Sequence, residues 1–124
     1  MPVPRITKDD LKARLDAQDV PPPVLVDARL KYAYEHSTVT LPAALRLSPG
    51  DDPAAAAFPR DREIVVYDSD PDEIVAAPIV ATLIERGYKA VALKGGIADW
   101  MAASLPTDAK DAPKPAATAA AAKG

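Results

Sequence analysis

The residues best placed to do chemistry stand together as Asp68-Ser69-Asp70-Pro71-Asp72-Glu73, four carboxylates within six positions. Directly before them, Ile64-Val65-Val66-Tyr67 is an unbroken apolar run rich in β-branched side chains. Such a run predicts a strand covered on both faces in a parallel sheet. The carboxylates therefore follow the carboxyl end of a buried strand, where open parallel sheets bind their ligands. So much negative charge in one loop predicts that its ligand is not an anion.

Three roles suit these residues. As a helix start, Asp70 is the cap, Pro71 takes the first helical position, and Asp72 and Glu73 fill the first turn, with Glu73 closing a capping box. As a cation site, Asp68, Asp70 and Asp72 alternate like the opening of a calcium loop. Glu73, however, stands where that loop needs glycine, and Ile79 where it needs a bidentate glutamate, so only a looser Ca²⁺ or Mg²⁺ site survives, with these three as weak candidates. As a recognition surface, an acidic mouth suits a basic protein segment. An enzyme using Asp68 as general base or metal ligand is the competing class, but the sequence positions no second group for it.

Composition removes much else. The chain contains no cysteine, which excludes disulfides, thiolate metal sites and every sulfur nucleophile. His36 is the single histidine and lies in a polar stretch, where a solvated side chain is expected. With 124 residues, 48% of them hydrophobic, the chain is expected to bury one core as one domain. A net charge of -3 offers no broad basic surface for nucleic acid. No run is apolar enough for a signal peptide or a membrane span, so a cytoplasmic protein without a membrane partner is expected, and no cofactor is implied.

The loop needs a frame, and hydrophobic pattern supplies one. Thr7, with Asp10 three residues on, predicts a capped helix start, and Leu11 and Leu15 beside Ala13 and Ala17 predict an amphipathic helix ending before Pro21. Pro21-Pro22-Pro23 forces an extended connector, after which VLVDA at 24–28 predicts a second buried strand. Residues 29–40 show no clear period; one or two helical turns fit, with Tyr32 and Tyr34 against the sheet. ALRL at 44–47 predicts a short strand, and 48–62 a surface connection turning at Pro49-Gly50.

Beyond the loop, 74–86 predicts a helix closed by Gly87 in the left-handed conformation. Pro78 then demands a bend or a separate first turn, since an interior proline costs about 3 kcal/mol. AVAL at 90–93 predicts another strand, Gly95 and Gly96 a tight turn, and 97–103 a last helix whose Trp100 packs on the sheet. Asp27 and Arg29 fit a structural ion pair beneath the loop. Strand and helix alternate, which predicts a mostly parallel sheet with helices on both faces.

These residues also carry a resemblance. GYKAVALKGGIADW at 87–100, followed by Leu105-Pro106, resembles the closing segment of rhodanese-like domains, with their Gly-Tyr, Gly-Gly and Trp landmarks. VLVDAR at 24–29 resembles the family's Asp-x-Arg strand, and EIVVY at 63–67 the strand leading to its active site, so that the match spans residues 5–106. The resemblance implies a five-stranded parallel sheet flanked by helices on both faces, with the active-site loop following the fourth strand.

The departures from the family bear on activity. Active members place a persulfide-carrying cysteine straight after this strand; here that position is Asp68, and a carboxylate cannot form a persulfide. The family's loop wraps backbone N–H groups around an anionic sulfur, whereas here Asp68, Asp70, Asp72 and Glu73 fill that concavity. A related phosphatase reading lacks both the cysteine and a loop arginine. The family's Gly-His-Ile-x-Gly-Ala signature is represented by STVTLPAA at 37–44, with Thr40 for the histidine and Ala43 for one glycine; His36 does not align. The expectation is a catalytically inactive domain over 1–106 that binds or regulates an unknown protein partner. The Ala/Pro/Lys-rich residues 107–124, lacking any large apolar side chain, are expected to be a disordered tail.

Overall fold

The computed structural model describes residues 3–48, 50–53, 58–70 and 72–110. In chain order the elements are β1 (Arg5–Ile6), α1 (Lys8–Asp16), β2 (Val24–Asp27), α2 (Lys31–Glu35), β3 (Val39–Thr40), β4 (Leu45–Arg46), β5 (Glu63–Tyr67), α3 (Ala76–Glu85), β6 (Lys89–Leu93), α4 (Gly96–Ala102) and β7 (Asp108–Ala109). Five strands form one sheet in the order β1-β6-β5-β2-β4, every neighbouring pair parallel. The expected α/β architecture is therefore present, with β5 in the central position.

That position explains the apolar run of β5. Ile64 and Val66 face one side and join Val80 and Leu83 of α3, while Val65 and Tyr67 face the other and join Leu11, Ile97 and Trp100. All four strand side chains are completely buried. Burial of each aliphatic one is worth about 1.5–3 kcal/mol, so an interrupted run would weaken both layers at once.

Local signals set most of the helix ends. Thr7 Oγ1 accepts from the Asp10 N–H at 3.1 Å and caps α1. After α3, Gly87 takes φ +91°, and the Gly87 and Tyr88 N–H groups bond back to Ile84 and Leu83, the left-handed closure expected there. Trp100 is fully buried and donates Nε1–H to the Pro106 carbonyl at 2.7 Å, which ties the last helix to the chain beyond it.

The structure corrects two expectations and shows where the expected fifth strand lies. The helix predicted from residue 74, with its first turn at 71, begins instead at Ala76; Pro78 thus falls in its first turn, where its missing N–H has no partner to lose and no bend is required. The fifth strand is β1, a two-residue piece too short to leave a pattern. The chain beyond Pro106 does not end its order at Thr107: β7 pairs antiparallel with β3, Asp108 Oδ2 accepts from the Ala43 N–H at 2.8 Å, and Lys110 donates Nζ–H to the Tyr34 carbonyl. Backbone pairing and two charged side chains hold these residues without any large apolar group. The expectation of disorder for 111–124 lies outside the described residues.

Two truncations measure that correction. A chain ending after Lys110 serves as reference, and one ending after Pro106 is expected to be less stable by about 1–3 kcal/mol, since hydrogen bonds to charged groups contribute roughly 1.5–3 kcal/mol each. Urea unfolding of the two chains decides it. Equal stability would return 107–110 to the tail.

Candidate functional site

The loop leaving β5 is built around one carboxylate. Asp68 is 1% exposed, and both of its oxygens are engaged by backbone N–H groups: Oδ1 by Asp70 at 3.0 Å, and Oδ2 by Val75 at 2.9 Å and Ala76 at 2.8 Å. Those last two donors belong to the start of α3. An acceptor there satisfies orphan helix amides and meets the positive end of the helix dipole. Asp68 thus caps α3 from the preceding strand, the role expected of Asp70.

Glu73 is placed differently from its expected seat in a first helical turn. It adopts φ 56°, a conformation that costs a non-glycine residue energy, and turns its buried side chain away from α3. Its Oε1 accepts from Arg5 Nε at 2.5 Å, and its Oε2 accepts from Arg5 Nη2 at 3.1 Å and from the Gly95 N–H at 3.0 Å. One glutamate therefore joins the loop to β1 and to the turn after β6. Its hydrogen bonds also hold the Arg5 guanidinium protonated to higher pH than usual.

The glycine pair supports the same loop. Gly96 has φ +64°, and a Cβ there would stand 2.4 Å from the Asp68 carbonyl oxygen. That close approach lets the Ile97 N–H bond the same carbonyl at 2.9 Å. Gly95 sits at φ 80° at the start of α4. The expected tight turn is there, and its use is to seat α4 against the first loop residue.

At the end of β2, Asp27 and Arg29 are 1% and 2% exposed and form an ion pair of 2.6 Å. Arg29 Nε also donates to both Asp27 oxygens and Nη2 to the Val39 carbonyl, while Arg46 reaches the Asp27 and Arg29 carbonyls. Burial alone would discourage the Arg29 charge, but the hydrogen bonds and charge of Asp27 outweigh it and raise its pKa. Tyr67, buried beside this pair, is held far above its ordinary pKa by burial and by Asp27, and its hydroxyl accepts from the Leu41 N–H at 3.2 Å. The pair is reached from β3 by the Val39 carbonyl, from β4 by Arg46 and from β5 by the Tyr67 ring.

The remaining candidates divide plainly. Ser69 and Asp72 are exposed and Asp70 is half-buried, with Asp70 Oδ1 accepting from the Asp72 N–H at 2.7 Å. Pro71, expected at the first helical position, lies outside the described residues. Asp68, Asp70 and Asp72 are not gathered as a cation site: among the described residues no group of three His, Asp or Glu side chains is arranged to hold a metal ion. His36 is exposed, stacks on Tyr32, and places Nδ1 3.0 Å from the Tyr32 carbonyl. Ala43, which occupies a glycine position of the resembled signature, takes φ 55°, the backbone angle that glycine would adopt freely.

Sequence reasoning missed Arg5 and the inward turn of Glu73. Their contact spans 68 positions, and no local pattern announces it. The loop's charge is accordingly less available than its composition suggests: two of four carboxylates point inward and are consumed by backbone and arginine.

A parallel α/β sheet carrying a loop of inward N–H groups at the end of its central strand defines a rhodanese-type domain. The sequence profile of the Rhodanese-like domain family matches residues 7–103, and the chain belongs to that family. Comparison with curated proteins gave no match. Among solved structures, the rhodanese-like domain of the Alr3790 protein from Anabaena sp. is 25% identical, with a TM-score of 0.69, the match covering 91% of this chain and 86% of that one. A rhodanese-related protein from Thermoplasma volcanium is 18% identical over 85% of this chain and 97% of that one, with a TM-score of 0.69. Thiosulfate sulfurtransferase from Pseudomonas aeruginosa is 20% identical over 86% of this chain but only 19% of its own, with a TM-score of 0.66. The last two likenesses concern the fold alone. With no cysteine in the chain, this rhodanese-like domain has no thiol to carry a persulfide.

Burial is the largest influence on Asp68 and raises its pKa, with the charge of Asp70 adding to it; the bonds from Ala76, Asp70 and Val75 oppose this without cancelling it. A raised folded value means that the folded state holds the proton more tightly than the unfolded chain. This group's contribution is therefore fully present below the unfolded value of about 3.9 and is lost as pH rises through the folded one. The stability of wild type minus that of Asp68→Asn, from urea unfolding at matched pH, is expected to fall across that interval. A difference that stays flat or grows with pH would show that the site favours the anion.

Proposed function

We propose that this chain is a catalytically silent rhodanese-like domain that serves as a binding or regulatory module for a protein partner. The observation that carries the reading is the seat of Asp68. At the position where the family's nucleophile is expected, this chain has a buried carboxylate whose oxygens accept three backbone N–H bonds. A group so placed holds the loop's shape. It offers no nucleophile for a sulfur donor, and three of its acceptor sites are already taken. A fold kept with its reactive position turned into a structural bond supports a role in binding.

Two further carboxylates that are already engaged support the same reading. Asp27, the nearest strand-end carboxylate, is spent on Arg29, and Glu73 on Arg5 and Gly95. Among the described residues no helix is long and apolar enough to cross a membrane.

Wild-type protein is expected to transfer no sulfur from thiosulfate to cyanide above the buffer rate, and a clear rate would overturn the reading. An Asp68→Cys variant gives the chain its single thiol, readable without background. In that buried seat beside Asp70 the thiol is expected to titrate above its ordinary value of about 8.5 and to take up at most a trace of persulfide, seen as a mass shift. Robust loading would mean that the pocket is still shaped for sulfur chemistry.

A further inference from the structure

We infer that a pocket between α2 and the end of β4 binds a phosphate monoester, held by the guanidinium of Arg46 and the ammonium of Lys31. The pocket has a volume of about 340 Å³ and is lined by Lys31, Tyr34, Glu35, Arg46 and Ser48. In the sheet order β2 separates β4 from β5 and its loop, so this site is distinct from that of Asp68 and does not rest on the binding-module reading. Arg46 is fixed before any ligand arrives. Its side chain is 21% exposed, with Nη1 3.6 Å from Asp27 Oδ1; the same nitrogen donates to the Arg29 carbonyl at 2.6 Å and the Asp27 carbonyl at 3.2 Å. The guanidinium also lies 4.0 Å from the centre of the Tyr34 ring, within reach of cation–π attraction. All of its polar contacts use one nitrogen. Nε and Nη2 have no acceptor among the described residues, and neither is sealed from solvent. Those two nitrogens form the side-on fork that Arg5 sets on Glu73 and Arg29 on Asp27, and the fork matches two oxygens of one oxyanion. Held by backbone and ring, it has little freedom to lose on binding.

Charge selects a dianion. Arg29 and Lys110 meet the same Tyr34 ring at 5.4 and 4.3 Å from its centre, so pocket and ring together gather Arg29, Lys31, Arg46 and Lys110. Against them stand Asp27, which is bound by Arg29, and Glu35, which is exposed. Two neighbouring carboxylates are turned to backbone: Asp108 accepts from the Ala43 N–H, and Asp51 from the Ser48 N–H. Asp51 lines the adjoining groove rather than this pocket. Two positive charges therefore exceed the carboxylates of pocket and ring, and a phosphate monoester carries about −1.5 to −2 at neutral pH. The remaining polar groups of the lining suit the same ligand. Lys31 Nζ, Ser48 Oγ and the Tyr34 hydroxyl have no partner among the described residues, and each can donate to a phosphate oxygen.

Amide NMR of the full chain tests the site, with glycerol 2-phosphate, the capped peptide Gly-Gly-phosphoSer-Gly-Gly, its unphosphorylated form and acetate titrated in turn at matched ionic strength. Both phosphate esters are expected to shift amides of residues 29–36 and 46–48, with a dissociation constant on the order of 1 mM. Acetate and the unphosphorylated peptide are expected to leave them in place. Arg46→Lys keeps the charge but loses the fork and should weaken binding about tenfold. Lys31→Glu should weaken it by a similar factor of about ten; that position is exposed, so an unchanged thermal midpoint serves as its folding control and this variant decides the matter where Arg46→Lys does not fold. A phosphopeptide that binds more tightly than the small ester assigns the phosphate to a modified segment of another protein, and equal affinity assigns it to a small molecule; either result supports the site. Phosphate esters that shift no amides in the pocket would overturn it. So would acetate binding as tightly as the esters, or Lys31→Glu binding them as tightly as wild type.

Discussion

The arrangement of the loop depends on three N–H bonds to one carboxylate. Asp68 gathers the Asp70, Val75 and Ala76 amides, and the last two stand at the start of α3. The interaction is local in sequence yet unusual in kind, because the cap of the helix comes from the end of a strand rather than from the residue preceding the helix. Each bond, being made to a carboxylate, is worth roughly 1.5–3 kcal/mol. Together they satisfy donors that burial would otherwise leave unpaired.

Two ion pairs accompany this arrangement, and their environments differ. The Asp27–Arg29 pair lies almost wholly out of water, and breaking it by removing one partner would leave a buried charge, a change that costs roughly 3–5 kcal/mol. The Arg5–Glu73 pair has its arginine 44% exposed, so its charge attraction is screened; its larger use is to hold Glu73 at positive φ so that Oε2 can receive the Gly95 amide. One pair ties the end of β2 to β3 and β4 through Val39 and Arg46. The other closes the loop against β1 and the Gly95–Gly96 turn, where Gly96 allows the backbone of α4 to approach Asp68.

Much of this was legible in the sequence where neighbours decide the outcome. The β5 run, the Thr7 cap, the Gly87 closure and the Asp27–Arg29 spacing all act over a few positions, and the structure places each as expected. The resemblance supplied the strand count, which the two-residue β1 could not. What escaped was set by distance. Asp70 and Glu73 have the types and spacing of a capping box, and local propensity favours one, but Asp68 takes the amides and Arg5 takes Glu73 from 68 positions away. The pairing of β7 with β3 escaped for a related reason: it rests on backbone bonds and on Asp108 and Lys110, and leaves no apolar period to read. The acidity of the loop was visible; how much of it faces inward was not.

The measurement that bears most directly on the central claim is the unfolding free energy of Asp68→Ala set beside that of Asp72→Ala. A carboxylate that holds three amides, one in a buried and two in part-buried bonds, is expected to cost about 2–4 kcal/mol when removed, because each unsatisfied buried donor carries a penalty of roughly 1–3 kcal/mol. Asp72, exposed to water, is expected to change stability by less than about 0.5 kcal/mol. An Asp68→Ala chain as stable as wild type, or more stable, would contradict the account, since a carboxylate kept for binding or chemistry rather than for the loop's shape is one whose removal relieves the fold.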